Sequence, residues 1–181
     1  MDLDYQKQNP TVIYVDMDGV LADFESGIAK LPEQIRETAV DFDEVPGIFS
    51  LMEPVDGAIE AIQIMANSPG VEVYILSTAP WNNPSAWSEK VQWLHDKFGP
   101  DEFLDDAKTI RNPIYKRLII SHHKNLNKGS ILIDDRRANG APEFEGQHIH
   151  FGKADAEENR AGIFPTWTSV LEHLRQKKII D

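Results

Sequence analysis

Short apolar runs rich in β-branched residues, each stopping abruptly at polar side chains, leave this chain few ways to fold. They are Val12–Val15, Val71–Leu76, Leu118–Ile120, Ile131–Ile133 and a weaker His148–Phe151. Segments of helical period lie between several of them. Val55, Ile59, Ile62 and Met65 fall on one helical face; Trp87, Val91, Leu94 and Phe98 form a second stripe, and Trp167, Val170, Leu171 and Leu174 a third. Asn83 is placed to cap the middle helix, Pro84 suits its first turn, and Gly99-Pro100 ends it. Near-continuous hydrophobic strands alternating with helices predict an α/β fold, a parallel sheet in a three-layer α/β/α arrangement.

Ligands of such sheets bind at the carboxyl ends of the strands. The residues to read are therefore those that end each run: Asp16 and Asp18, then Ser77 and Thr78, then His122, His123 and Lys124, then Asp134 and Asp135. The stretch 23–54 fits the sheet pattern poorly. It has a short helical piece around Phe24–Leu31, then a polar, Pro-interrupted segment with Phe42 and Phe49. It reads as a small lid inserted into a core made of 1–22 and 55–181. Lys153–Asn159 reads as an acidic loop.

At 181 residues the chain suits one compact domain with a small appendage. No apolar run is long enough to span a bilayer, and MDLDYQKQNP lacks a basic start and an apolar core, so neither a membrane anchor nor a signal peptide is expected. The absence of cysteine excludes disulfides, thiolate zinc sites and cysteine nucleophiles, and is compatible with the cytoplasm. A formal charge of −12 opposes binding to a nucleic acid polymer. It leaves room for a small phosphorylated ligand in a locally positive pocket.

Four carboxylates at strand ends, with a Ser/Thr pair and a Lys, suit phosphoryl transfer, where positioning and charge stabilisation dominate. The carboxylates can hold a hard divalent cation, most plausibly Mg²⁺. The Lys and the hydroxyl can grip phosphate oxygens, with backbone N–H groups of the Met17–Gly19 turn as further donors. The first two acids can divide the labour. One attacks phosphorus to give an aspartyl-phosphate; the other, two residues on, protonates the leaving oxygen and later deprotonates a water.

These residues resemble the haloacid dehalogenase (HAD) superfamily. DMDGV at 16–20 is similar to its motif I, DxDx[TV]; Ser77-Thr78 resembles motif II, Lys124 motif III and Asp134-Asp135 motif IV. The resemblance implies a Rossmann-like core, Asp16 as nucleophile, Asp18 as general acid/base, and Thr78 and Lys124 as phosphate ligands. It implies metal ligation by Asp16, by the backbone carbonyl of Asp18 and by one of the last pair, with Asp135 preferred as direct ligand and Asp134 behind it. DMDGVLADFE, STAP, WSEKVQWLHDKFGP and SILIDDR are further similar to the 5′(3′)-deoxyribonucleotidases, and YKRLIISHHKNLNKG to their bacterial branch. That implies a nucleoside monophosphate substrate, with Phe24 lining the base pocket.

Other candidates read more plainly. Lys90 lies off the Trp87–Phe98 stripe and reads as solvent-facing. One of His122 and His123 could reach a ligand, and Ser77 could share the role of Thr78. His148 and His150 share a strand face without a nearby carboxylate, which argues against a metal there. Arg136 and Arg137 could neutralise the acids. Phe24 and Trp81 are the aromatics available for stacking on a base, and Asp23 can cap the helix after it. The expected function is a Mg²⁺-dependent phosphatase. The alternatives are a sugar-phosphate or other metabolite phosphatase, and a phosphate- or nucleotide-binding module that does not turn over.

Overall fold

The structure is a computed structural model that describes residues 9–99, 112–152 and 163–181. The expected acidic loop at Lys153–Asn159 lies outside the described residues. The strands are β1 (Thr11–Val15), β2 (Ala22–Asp23), β3 (Glu53–Pro54), β4 (Val71–Ser77), β5 (Leu118–Ile120), β6 (Ile131–Asp134), β7 (Gln147–Phe151) and β8 (Ile163–Phe164). The helices are α1 (Phe24–Lys30), α2 (Glu33–Thr38), α3 (Ile48–Leu51), α4 (Ala58–Asn67), α5 (Ser85–Phe98) and α6 (Trp167–Gln176). Six strands form one parallel sheet in the order β5-β4-β1-β6-β7-β8. All five expected runs are strands, and β8, too short for a period to register, is added at the edge.

The register fixes where the chemistry falls. Val15 lies opposite Ile75 on one side and Ile133 on the other. The first acid after β1 and the acid that ends β6 are therefore level, and the Asp16 amide donates to the Ile133 carbonyl at 2.9 Å.

One sheet face carries most of the core. Ile13, Val15, Val73, Ile75, Ile131 and Ile133 pack with the buried residues of α4, α5 and α6. On the other face Tyr14, Leu76 and Leu132 are covered, among the described residues, by Ala141 and Phe144 of a loop. The α6 stripe is as expected: Trp167, Val170, Leu171 and Leu174 are all buried. Burying an indole requires a partner for its N–H, and the Trp167 Nε1–H donates to the Val20 carbonyl at 3.0 Å. The last helix thereby grips the turn that follows β1.

Two helices differ from expectation. Val55 precedes α4, whose buried side is Ala58, Ala61, Ile62 and Met65. On α5 the inward face is Ala86, Glu89, Lys90, Trp93, Leu94 and Phe98, while Trp87 and Val91 are 43% and 40% exposed. A hydrophobic count cannot find this face, because two of its members are charged residues whose partners lie elsewhere in the chain. Asn83 does not cap the helix. Its amide donates to the carbonyls of Asp43 and Val45, pinning the preceding segment instead.

The residues between Asp23 and Glu53 leave and re-enter the core through the antiparallel pair β2–β3. Asp23 caps α1, accepting from the Ser26 amide at 3.4 Å. Gly27 lets α1 rest on α3, since a Cβ there would come within 3.0 Å of Met52 and 3.2 Å of the Ile48 carbonyl. In turn α3 packs on α5.

Candidate active site

Three neighbouring strand ends bring the site together. Asp16 and Asp18 follow β1, Ser77 ends β4 with Thr78 next to it, and Asp134 ends β6 with Asp135 next to it. Lys124 opens a short 3-10 turn beyond β5. Its side chain is 3% exposed and binds Asp16 Oδ2 at 3.0 Å and Asp134 Oδ2 at 2.5 Å. Asp16, Asp134 and Asp135 each offer one oxygen within 4.8 Å of the others.

Thr78, Asp18, Arg136 and Asn139 line both a narrow cleft, which holds Asp16, Lys124 and Asp134, and a wider pocket of about 610 Å³. The wider pocket is walled by Phe24, Phe42 and Phe49, with Glu25, Asp41 and Asp43 also on its lining. Phe24 and Phe49 pair with ring centroids 5.9 Å apart. Trp81 is not on that lining; it is 82% exposed and packs edge-on against His122, which is. His148 and His150 stack on each other, 6.0 Å apart. A larger groove of about 750 Å³ runs along the sheet edge by Trp87, Val91 and Ile120 and contains none of the candidate site residues.

Ser77 and Thr78 separate. Ser77 is fully buried and its Oγ meets Lys90 Nζ at 3.3 Å, whereas Thr78 lines both cavities and its hydroxyl donates to the Ser121 carbonyl. The turn amides are less available than expected. The Met17 amide donates to Asp16 Oδ1 and the Gly19 amide to the Ala22 carbonyl, because the turn closes on itself through the Met17 carbonyl. Gly19 has another task. At φ +76° its missing Cβ would sit 2.3 Å from Asp135 Oδ2, so only glycine lets the turn and that carboxylate touch.

Lys90 overturns the solvent-facing expectation. It is fully buried, and its Nζ binds Asp18 Oδ2 at 2.5 Å and lies 4.2 Å from the Phe49 ring centroid. The signal was in the spacing Ala86, Lys90, Trp93, Leu94, a helical face with a lysine in the middle.

Four carboxylates thus meet two buried ammonium groups and the exposed Arg136, whose Nε is 3.8 Å from Asp135 Oδ2. The excess of negative charge registers on the acids. Burial, with the Asp16 charge, pushes the Asp135 carboxyl up to about 7 against the pull of Arg136. Burial also raises Asp18 and Asp134, in each case helped by Asp16. Burial works against the Lys124 charge, yet Asp16 and Asp134 together raise its pKa. The pairing that secures Lys124 does not bring Asp134 down, because burial and the Asp16 charge outweigh the pull of the ammonium.

The donor set fits a hard cation. It is all oxygen, and Asp135 Oδ1 is buried without a hydrogen-bond partner. Asp134 has both oxygens engaged, with Lys124 and with the Arg136 amide. Within this set the buried oxygen without a hydrogen-bond partner is on Asp135.

The cleft stands at the ends of β1, β4 and β6, and the fold that carries it is HAD-like. A HAD family hydrolase from Deinococcus radiodurans R1 superposes with a TM-score of 0.56 at 13% identity, covering 95% of this chain and 98% of that one. A HAD-superfamily hydrolase from Geobacter sulfurreducens PCA gives 0.52 at 12% identity, over 92% and 97%. Residues 26–163 match the family model "5' nucleotidase, deoxy (Pyrimidine), cytosolic type C protein". A Vibrio phage KVP40 protein named "Putative 5'(3')-deoxyribonucleotidase" is 43% identical over 170 residues, 93% of this chain and 87% of that protein. The human "5'(3')-deoxyribonucleotidase, cytosolic type" is 27% identical over 152 residues, 68% of this chain and 70% of that one. The chain belongs to this 5′-nucleotidase family, and is a phosphatase.

Proposed function

We propose that the protein is a Mg²⁺-dependent 5′(3′)-deoxyribonucleotidase of the cytoplasm, hydrolysing nucleoside monophosphates through a phospho-Asp16 intermediate. The carrying observation is the meeting of Asp16, Asp18, Thr78, Lys124 and Asp134 on one cleft that shares lining residues with the aromatic pocket, with an Asp135 oxygen within 4.8 Å of Asp16 and Asp134. The names of the phage and human relatives support the substrate class, and the human name the compartment.

In this reading the phosphoryl group sits in the cleft, bound by Lys124 and the Thr78 hydroxyl. The sugar and base extend into the pocket beside Phe24, Phe42 and Phe49. Asp16 attacks phosphorus as its ester P–O bond breaks, and the Asp18 carboxyl gives its proton to the departing sugar oxygen. Asp18 then takes a proton from water, which attacks phospho-Asp16, releases phosphate and frees the nucleophile. Asp16, the Asp18 carbonyl and Asp135 would hold Mg²⁺, with Asp134 orienting Lys124; the cation supplies charge stabilisation to the phosphoryl oxygens. Segment 23–54 serves as a lid that keeps bulk water from the cleft.

Phosphate release from a panel of deoxy- and ribonucleoside monophosphates and sugar phosphates, with Mg²⁺, tests the substrate class. Turnover of nucleotides is expected; turnover of sugar phosphates alone would overturn the assignment.

A second expectation follows from the Asp135 carboxyl, pushed up to about 7. Mg²⁺ must displace its proton in acid. Affinity should fall about tenfold per pH unit below that value and level off above it. Titration calorimetry in two buffers of different ionisation enthalpy should record proton release near neutral pH. Identical affinity at about pH 6 and about pH 8 would remove Asp135 from the ligand set.

A further inference from the structure

Two adjacent charged residues of α5 connect the acid/base group to the wall of the substrate pocket. Glu89 is nearly buried, and its two carboxylate oxygens accept from the amides of Gly47, at 2.8 Å, and Phe49, at 3.1 Å. One turn on, the Trp93 indole donates to the Met52 carbonyl at 2.8 Å. These bonds hold both ends of α3 against α5. Lys90 lies between them, and its Nζ meets three groups: Asp18 Oδ2 at 2.5 Å, Ser77 Oγ at 3.3 Å and the face of Phe49 at 4.2 Å from the centroid.

Lys90 lines neither the cleft nor the wider pocket, whereas Asp18 lines both and Phe49 lines the pocket. A cation so placed does not touch the substrate. It grips Asp18 Oδ2, while Oδ1 is buried without a hydrogen-bond partner.

We infer that Lys90 is a positioning residue: by holding Oδ2 it fixes the orientation of the Asp18 carboxyl at the cleft and ties that geometry, through Phe49, to the wall of the substrate pocket. The inference rests on the acid/base role proposed for Asp18. During ester cleavage the O–H bond of the Asp18 carboxyl breaks and an O–H bond forms on the departing alkoxide, while the ester P–O bond breaks and the Asp16–phosphorus bond forms. A misdirected Asp18 slows this step in proportion to the leaving group's need for a proton.

That dependence separates positioning from mere structure. The Lys90→Met enzyme is assayed with a nucleoside monophosphate, whose alkoxide must be protonated, and with p-nitrophenyl phosphate, whose phenolate leaves without a proton. The ratio of the two kcat/KM values is read on one sample, so any unfolded fraction cancels. Lys90→Gln provides the same reading with a polar side chain in place.

For the nucleotide, kcat/KM is expected to fall about 100-fold, the lower range for loss of general acid catalysis. For p-nitrophenyl phosphate most of it should be retained. Equal losses on both substrates, or no loss on either, overturn the inference. A wild-type enzyme that cleaves sugar phosphates but not nucleotides would sink the nucleotidase reading alone. The ratio test then runs unchanged with the sugar phosphate as the alkoxide substrate.

Discussion

Asp16→Asn is expected to abolish phosphate release, a loss on the order of 10⁵-fold or more, as when a nucleophile is removed from a unit that acts together. The carboxylate is held for attack by two contacts, the Met17 amide on Oδ1 at 2.8 Å and Lys124 Nζ on Oδ2 at 3.0 Å. An amide at that place is a poor nucleophile, and its NH₂ would face a donor whichever way it turned. Asp18→Asn should behave differently. Loss of the proton donor costs about 10²–10⁴-fold, and the attack by Asp16 remains possible. Acid-quenched Asp18→Asn, mixed with a substrate that leaves without a proton, should therefore carry a phosphate visible as a mass increase. Asp16→Asn should carry none. Activity in Asp16→Asn comparable to wild type would end the covalent mechanism.

Much of this arrangement is legible in the order of the residues, and the reason is geometric. A parallel strand delivers whatever follows it to one edge of the sheet, so Asp16, Thr78 and Asp134 could be assigned to a common edge before any contact was known. Their register needed only β1 to lie between β4 and β6. What the sequence hid depends on long-range pairing. Lys90 and Glu89 look like ordinary helix charges until Asp18, 72 positions away, and the Gly47 and Phe49 amides are brought to them. Trp87 and Val91 look like core and are not, because α5 turns its charged pair inward and leaves them on the surface groove. Phe42 and Phe49 stood out only as apolar residues in a polar insertion; that they wall the pocket with Phe24 follows from the docking of α3 on α5. Asn83 had the right chemistry for a helix cap, but its Oδ1 accepts from the Ser85 hydroxyl and its amide donates to the Asp43 and Val45 carbonyls.

Lys124→Met is expected to cost more stability than any surface change and to do so in a pH-dependent way. The lysine is 3% exposed and neutralises Asp16 and Asp134, themselves nearly buried. Removing one partner of a buried ion pair costs about 3–5 kcal/mol, because the remaining charge has no compensation. For a chain of this size that corresponds to a melting temperature lower by roughly 6–20 °C. Acids whose folded pKa lies above the unfolded value lose stability as pH rises toward that folded pKa. Burial and Asp16 already raise Asp134 and Asp135 in the intact protein, and without Lys124, which pulls Asp134 down, Asp134 rises further. The penalty should therefore be smaller at about pH 5, where Asp135 carries its proton, and larger at about pH 8, where folding must hold that carboxylate ionised beside Asp134 and Asp16. Mg²⁺ should restore part of the loss at the higher pH by supplying the missing positive charge, with an effect that grows with its concentration. Melting curves of wild type and Lys124→Met at the two pH values, with and without Mg²⁺, measure all three effects. A difference in melting temperature that is the same at both pH values would mean that Lys124 acts by filling space, and that the acids around it are not held in check by its charge.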